Sequence, residues 1–504
     1  AHTVSVTYTD NTGGTGVAAA SIGLDDLVIT GPGNVTVSGV STLVHGNGSL
    51  TATYTLTSPK GFEDTDNGIH TIGLRAGAVT DVAGNGVAAG SIGSFNVDVP
   101  VPGIGVAARA TSFTGGEART FEHNNARKSF YHDGHWWAVL PDGASWSIHG
   151  FGEAGWSQAS TGMLNTKARA DVAFDDARDV VWVLNYGPTT VEPHLYRFGY
   201  DPGNGSWLMT ADIKISAASG LTSGNWTSNG EMALGLDTNG NPLLSSIGSP
   251  TAGTAGLHVA YATDSSLTTW AETTIDTGTR RDGGSNGDSK ADFVTYTEGG
   301  VTKVAIAYSA DGTTNSWKIA THDVSFSASY GADWNVSTFA TSGQVSIDNH
   351  ISAVSEGNTI YIAMKDDKNA VWLTHGRPGS WSTPTKVVNG GAEHDPSRPT
   401  LVLDESNHEL YVFYQDHTGN PQDIYFKKAS TTNLTFDPTS LGSKVISSAG
   451  LSFTDPQLPA HNVGTATDNS FFVFAKAGSQ IWYNDVDLQQ NNMLMANNLN
   501  TFTI

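Results

Sequence analysis

The feature that most constrains this chain is a repeat. From about residue 127 onward, a polar approach leads seven times into an apolar strand, a short turn and a second, more aromatic strand. The stretches are RKSFYHDGHWWAVL, RADVAFDDARDVVWVL, GEMALGLDTNGNPLLSS, ADFVTYTEGGVTKVAIAYS, HISAVSEGNTIYIAMK, RPTLVLDESNHELYVFYQD and PQLPAHNVGTATDNSFFVFAK. Each is followed by a third strand (SWSIHGF, HLYRFGY, LHVAYAT, WKIATHD, AVWLTHG, DIYFKKA, QIWYNDV) and usually a fourth. A period of roughly 40 to 60 residues is the length of a four-stranded blade. Such units bury a core only by stacking on one another around a ring. The fold expected for residues 109–504 is therefore an all-β, seven-bladed β-propeller.

Residues 1–98 read differently. VSVTYTD, LDDLVITGPG, VTVSGVST, SLTATYTLTSP, GIHTIGLRAGAVTDVAGN and SIGSFNVDVP alternate apolar and polar residues between Gly, Asn and Asp turns. That is the strand content of a β-sandwich, and VPVPGIG within residues 99–108 is a stiff linker. The pattern GPG…TATYTLT…DNGIHTI…DVAGN…GSFNV resembles the bacterial immunoglobulin-like modules of large secreted adhesins and surface enzymes. The resemblance implies a spacer or adhesive role with no catalysis. Asp64, Asp66, Asp81 and Asn85 have the side chains for a structural calcium, although turn formation is the simpler account of them. No other cofactor is expected.

Composition narrows the setting. There is no cysteine, which removes disulfides, thiolate metal sites and cysteine nucleophiles together. The net charge of −23, from 48 acidic and 25 basic residues, repels nucleic acid and anionic membranes unless the bases are gathered. No apolar run is long enough to span a bilayer. The expectation is a monomer acting outside the cell or on its surface.

The bases are in fact gathered. In a propeller, ligands bind where the chain starts each innermost strand and where the loops joining second and third strands emerge. Arg127, Lys128, Lys167, Arg169, Arg280, Arg281, Lys290 and Arg398 fall there, with His350 and His394. Acidic Glu231, Asp292, Asp348 and Asp455 sit among them. The short-turn face instead carries Asp133, Asp175, Asp176, Asp179, Asp237, Glu298, Glu356, Asp404, Glu405 and Asp468. A cationic funnel favours an anionic ligand, here an acidic polysaccharide. Trp226 and Tyr186 have rings that could stack on sugars.

Three chemistries compete for these residues. A hydrolase needs two carboxylates flanking a glycosidic bond, and Glu231, Asp292 and Asp348 do not single out a pair. A sialidase is disfavoured, because no Arg-Ile-Pro stands near the start of the repeats and Ser397-Arg398-Pro399 comes too late. A lyase must neutralise a uronate carboxylate, then supply a base and a proton donor. Arg169, Lys290 and Arg398 suit the first task; His350, His394, His194, His417 and Tyr186 suit the others. The expected catalytic set is His350, His394, Arg398, Arg169 and Tyr186. Arg127, Lys167, Lys290, Glu231, Asp292, His194, His417 and Trp226 are expected to bind substrate.

Two resemblances bear on this reading. ATDSSLTTW and SADGTTNSWKI look like degenerate Asp-boxes of sialidase-like propellers, with Asp264 and Trp270, and Asp311 and Trp317, at their ends. In that family the box is structural. In architecture and residue type the repeats also resemble seven-bladed polysaccharide lyases acting on ulvan and rhamnose–glucuronate linkages, which implies His, Tyr and Arg chemistry. A non-catalytic, lectin-like propeller is the rival class.

Overall fold

A computed structural model describes the chain except residues 1, 11–13, 33, 47, 59–67, 98–108, 115–126, 142–144, 153–154, 164–168, 188–191, 227–230, 249–255, 278–289, 311–315, 324–333, 349, 419–420, 465–469, 489–497, 500–501 and 504. It is nearly all β; among the described residues the only helices are single tight turns. The chain forms two compact units, Ala1–Val101 with Gln489–Ile504, and Pro102–Leu488. In this division the last residues fall with the first unit, whereas the expected second domain ran to residue 504. Asn498–Leu499 pairs with Gly90–Val97, and Phe502–Thr503 with His2–Thr9, so open strand edges of the first unit recruit the end of the chain.

The first unit holds two sheets. One orders Thr36–Val44, Leu50–Thr57, His2–Thr9 and Phe502–Thr503; the other orders Leu27–Thr30, Gly68–Leu74, Gly90–Val97 and Asn498–Leu499. The strand LTATYTLT explains itself: Leu50, Ala52, Tyr54 and Leu56 point inward and are fully buried, while the threonines between them face outward. Those threonines meet hydroxyls on the next strand, Ser5 to Thr53 at 3.0 Å and Thr7 to Thr51 at 3.1 Å. Asn85 donates to both Asp81 carboxylate oxygens, from its N–H at 2.8 Å and its Nδ2 at 2.6 Å, so these two residues build a turn. Asp64 and Asp66 lie outside the described residues. Among the described residues, no three His, Asp or Glu side chains gather to hold a metal.

Among the described residues the second unit holds seven antiparallel strand sets in chain order, each counted as a sheet, the first and seventh being hydrogen-bonded into one eight-stranded sheet. Their first strands are Arg127–His132, Arg169–Asp175, Glu231–Leu236, Ala291–Glu298, Ile351–Glu356, Pro396–Asp404 and Thr454–Pro459. Each first strand packs against the next, and the seventh returns to the first through parallel pairs Leu458–Arg127 and Pro459–Ser129. The outermost strand of the seventh sheet comes from the start of the unit: Arg109–Thr114 pairs with Gln480–Asp487. Joining the two ends of a ring in one sheet leaves no broken seam there.

Aromatic side chains fill the spaces between sheets, with Trp146, Trp207, Trp226 and Trp317 fully enclosed. Trp226 belongs to this packing. Its indole Nε1 donates to Glu272 Oε2 at 2.9 Å, and Asn225 Nδ2 donates to Glu272 Oε1 at 2.5 Å. Burial opposes ionisation of Glu272, but bonds from His258, Thr222, Trp226 and Asn225 outweigh it and hold the carboxyl down at about 2. The expectation that Trp226 stacks on sugar is thereby corrected, since no face of the ring is open. Tyr186, 1% exposed, is enclosed in the same cluster and offers no stacking face either.

At the first Asp-box-like turn, Asp264 accepts from the Thr268 and Thr269 N–H groups at 3.1 and 2.6 Å, and Trp270 is buried. Asp366 and Trp372 make an unforeseen parallel: Asp366 accepts from Lys368 N, Ala370 N and Trp372 Nε1. Asp311 lies outside the described residues.

Candidate active site

Antiparallel hairpins place the start of each first strand and the end of each second strand at the same end of the ring. At that end, the fifth, sixth and seventh sheets bring charged side chains together. His350 precedes the first strand of the fifth sheet, and its Nδ1 lies 2.8 Å from Asp348 Oδ1. Lys365, closing the second strand of that sheet, donates to Asp348 Oδ2 at 3.1 Å and lies 3.7 Å from Asp395 Oδ1. His394 Nδ1 lies 2.8 Å from Asp416 Oδ2, and Asp416 Oδ1 accepts from Asp395 N–H at 2.9 Å. Two carboxylate–imidazole pairs therefore stand at one mouth, one buried at His350 and one half-exposed at His394.

Arg398 completes the group. Its Nη1 donates to Gln415 Oε1 at 2.9 Å, and its Nε lies 2.8 Å from Asp455 Oδ1. Its other amino nitrogen, Nη2, hydrogen-bonds to no described residue. Gln415 Nε2 meets His417 Nδ1 at 3.1 Å. Both Arg398 and Asp455 take left-handed backbone, φ 56° and 59°, which costs a non-glycine residue about 1–3 kcal/mol.

The electrostatics of the pairs differ from those of isolated groups. Burial lowers the proton affinity of His350; the Arg398 and Lys290 charges lower it further, and Asp348 opposes them. Burial would raise the Asp348 carboxyl, but the bond from His350 and the Lys365 charge hold it below the ordinary carboxylate range. Asp416 is likewise held low, burial being outweighed by bonds from Asp395 N–H, His394 and Thr418. Nδ1 of His350 faces Asp348, which orients the ring. Such a pair is a carboxylate-oriented base that is neutral at neutral pH.

Other expected residues do not join this group. Arg127 crosses the centre of the ring: its Nη2 is 2.9 Å from Asp292 Oδ1 and donates to Phe293 O at 2.8 Å. Asp292 also accepts from Ala353 N–H, and burial raises its carboxyl. Arg127 and Asp292 therefore pair with each other across the ring rather than joining the group around His350. Lys128 is buried next to them, its Nζ bonded to the Arg127 and Ala170 carbonyls; burial lowers Lys128 and raises nearby Asp171. Arg169 and Tyr186 face each other as register partners of the second sheet, guanidinium carbon 5.9 Å from the ring centre. His194 pairs with Asp212 at 2.6 Å on that sheet's outer strands. Lys290 is buried near His350. Lys167, Arg280, Arg281 and the side chain of Glu231 lie outside the described residues.

Lys365 and Arg398 each face a carboxylate, so their charges are locally compensated; Lys167, Arg280 and Arg281 of the expected cationic funnel lie outside the described residues. Sequence reasoning passed over Lys365, Gln415 and Asp416 altogether. Their signal was present, since apolar second strands end abruptly on YIAMKDD and YVFYQDH.

At the opposite, short-turn end lies a cavity of about 680 Å³. Phe174, Leu234, Phe293, Val354 and Leu401 line it, with His132, Asp133, Asp176, Glu405 and His461 nearer the turns and Arg127 and Asp292 at its inner limit.

No family model matches the chain, and no curated protein matches it. Among solved structures it is similar to a polysaccharide lyase of family PL25, an ulvan lyase, at 10% identity and TM-score 0.47, covering 77% of this chain and 98% of that one. The polysaccharide lyase Uly1 matches at 9% identity and TM-score 0.42, covering 78% and 95%. The BP39L lectin from Burkholderia pseudomallei matches at 12% identity and TM-score 0.44, covering 85% and 99%. Superpositions this distant transfer neither a residue nor an activity.

Proposed function

We propose that the second unit is a seven-bladed β-propeller that cleaves a uronate-containing polysaccharide by β-elimination at its loop-bearing mouth. The closed cycle of seven first strands supports the architecture, and the two facing sheets of the first unit support an immunoglobulin-like sandwich. One observation carries the chemistry. His350, a neutral imidazole oriented by Asp348, stands beside the positive charges of Arg398 and Lys290.

Abstraction of a proton next to a carboxylate needs that combination. Arg398 and Lys290 offset the carboxylate charge, which acidifies the C5–H bond. His350 Nε2 takes the C5 proton, and the C–H electron pair becomes the C4–C5 double bond. The C4–O bond breaks with its electrons, and the leaving oxygen takes a proton from His394, oriented by Asp416. No water is consumed, and one new end is an unsaturated uronate. The substrate is anionic, the protein acts outside the cell, and no cofactor enters these steps.

The test is incubation with a panel of glucuronate-, mannuronate- and galacturonate-containing polymers while following ultraviolet absorbance. A rise reports the unsaturated uronate. New reducing ends without that rise would replace the reading with hydrolysis; retained binding without either signal would replace it with a lectin.

A further inference from the structure

Consecutive sheets repeat one unusual device. At Arg398 and again at Asp455, a non-glycine residue in left-handed backbone is followed by proline near the start of an innermost strand. At both places the ladder skips. Ser397 pairs with Gln415 and Thr400 with Phe413; Thr454 pairs with Lys476 and Gln457 with Phe474. A residue before proline is pushed by sterics toward extended backbone, and a residue with a Cβ avoids positive φ. Local preference therefore opposes both bulges. Proline has no N–H to leave unpaired where a ladder is interrupted, so it suits the irregular position.

The bulges bring two side chains together across two sheets. Arg398 Nε lies 2.8 Å from Asp455 Oδ1, and Gln415 Oε1 accepts from both Arg398 Nη1 at 2.9 Å and Asp455 N–H at 2.8 Å. Gln415 thus ties one bulge to the other. The guanidinium is hydrogen-bonded through Nη1 and held in ion-pair contact with Asp455 at Nε, with Nη2 left to a ligand.

We infer that Asp455 and Gln415 are positioning residues that hold the Arg398 guanidinium where the substrate carboxylate sits, a role that rests on the β-elimination reading above. A flexible arginine would lose orientational freedom on meeting the carboxylate; this one has been oriented by the fold. It presents one edge, which fits a free, planar carboxylate and gains nothing from its methyl ester.

A double-mutant cycle tests this. R398A, D455N and the double variant are assayed for kcat and KM on the polymer of the uronate panel that the wild type cleaves, with thermal melting of each. D455N should raise KM about tenfold or more, keep its melting transition, and cause no further loss in the R398A background. A merely structural Asp455 would lower the melting temperature and add its full loss to that of R398A, which overturns the inference. So would a D455N enzyme with wild-type KM and kcat. If D455N does not fold, Q415M is read by the same cycle and the same criteria. A wild type that cleaves none of the panel defeats the elimination reading itself, and the positioning role falls with it. Cleavage by the wild type with full additivity defeats the positioning role alone.

Discussion

The two ends of the ring in the second unit invite comparison. At the short-turn end the strands leave a cavity of about 680 Å³ with mixed polar and apolar walls, and acidic Asp133, Asp176 and Glu405 lie toward its turns. At the loop-bearing end contacts of about 3 Å join Lys365 and His350 to Asp348, and Arg398 to Asp455. Open space and chemistry have separated. The cavity is what remains inside a ring of first strands whose side chains do not meet at the centre. Chemistry leaves a different trace: titratable groups converge, and burial and neighbours shift their proton affinities. At the loop-bearing end an imidazole oriented by Asp348 has its proton affinity lowered by burial and by Arg398 and Lys290.

The largest effect should come from pitting one end against the other. His350→Ala removes the base and should lower turnover on the cleaved polymer by about 10²–10⁴-fold without unfolding the protein. His461→Ala, at the cavity end, should leave turnover within about twofold. Its ring accepts from Tyr131 N–H at 2.9 Å and stacks on Trp136, so any loss should appear in thermal stability. If the two variants exchange these outcomes, the cavity end holds the chemistry.

The boundary between the ends gives the next effect. Arg127 and Asp292 bridge the bore with little exposure. Breaking one member of a buried ion pair leaves an uncompensated charge, which costs about 3–5 kcal/mol. Asp292→Ala should therefore lower the stability measured by urea unfolding by that amount. Replacing both members together, Arg127→Met with Asp292→Leu, should recover most of the loss, because an apolar pair carries no desolvation penalty. A single variant as stable as the wild type would mean that the ring does not need the pair.

What could be read in the sequence follows from the range of the forces involved. All seven hairpins and their third strands were legible, because alternating burial and turn residues are written within a few positions of each other. Arg109–Thr114 as a strand of the last sheet was not legible, since ring closure joins segments about 370 residues apart and leaves no local mark. His350, His394 and Arg398 were found from their position at strand starts. Their carboxylates were undervalued because an acid beside a base reads as surface alternation until distance shows a pair. Trp226 and Tyr186 were misjudged for the opposite reason: an aromatic residue in a loop or at a strand end has the same pattern whether it faces a ligand or the next sheet.

The smallest predicted effect is the most specific to the loop-bearing end. His350 must be neutral to accept a proton, so activity should fall as pH drops through its pKa. Burial, Arg398 and Lys290 place that pKa below the ordinary imidazole value, so the acid limb of kcat/KM should lie below that value as well. The same depression means that the folded state binds fewer protons than the unfolded chain in mild acid. His350 therefore contributes stability above the ordinary imidazole range that is lost as pH falls. Substitutions should move the limb in opposite directions. Arg398→Gln removes a positive neighbour, which raises the imidazole pKa and shifts the limb to higher pH. Asp348→Asn removes the one carboxylate that supports the protonated ring, so the limb moves to lower pH even as turnover falls. His461→Ala, at the cavity end, should leave the limb in place. A pH–rate profile of each variant reads all three signs, and a limb that moves with His461 and ignores Arg398 would place the titrating base at the other end of the ring.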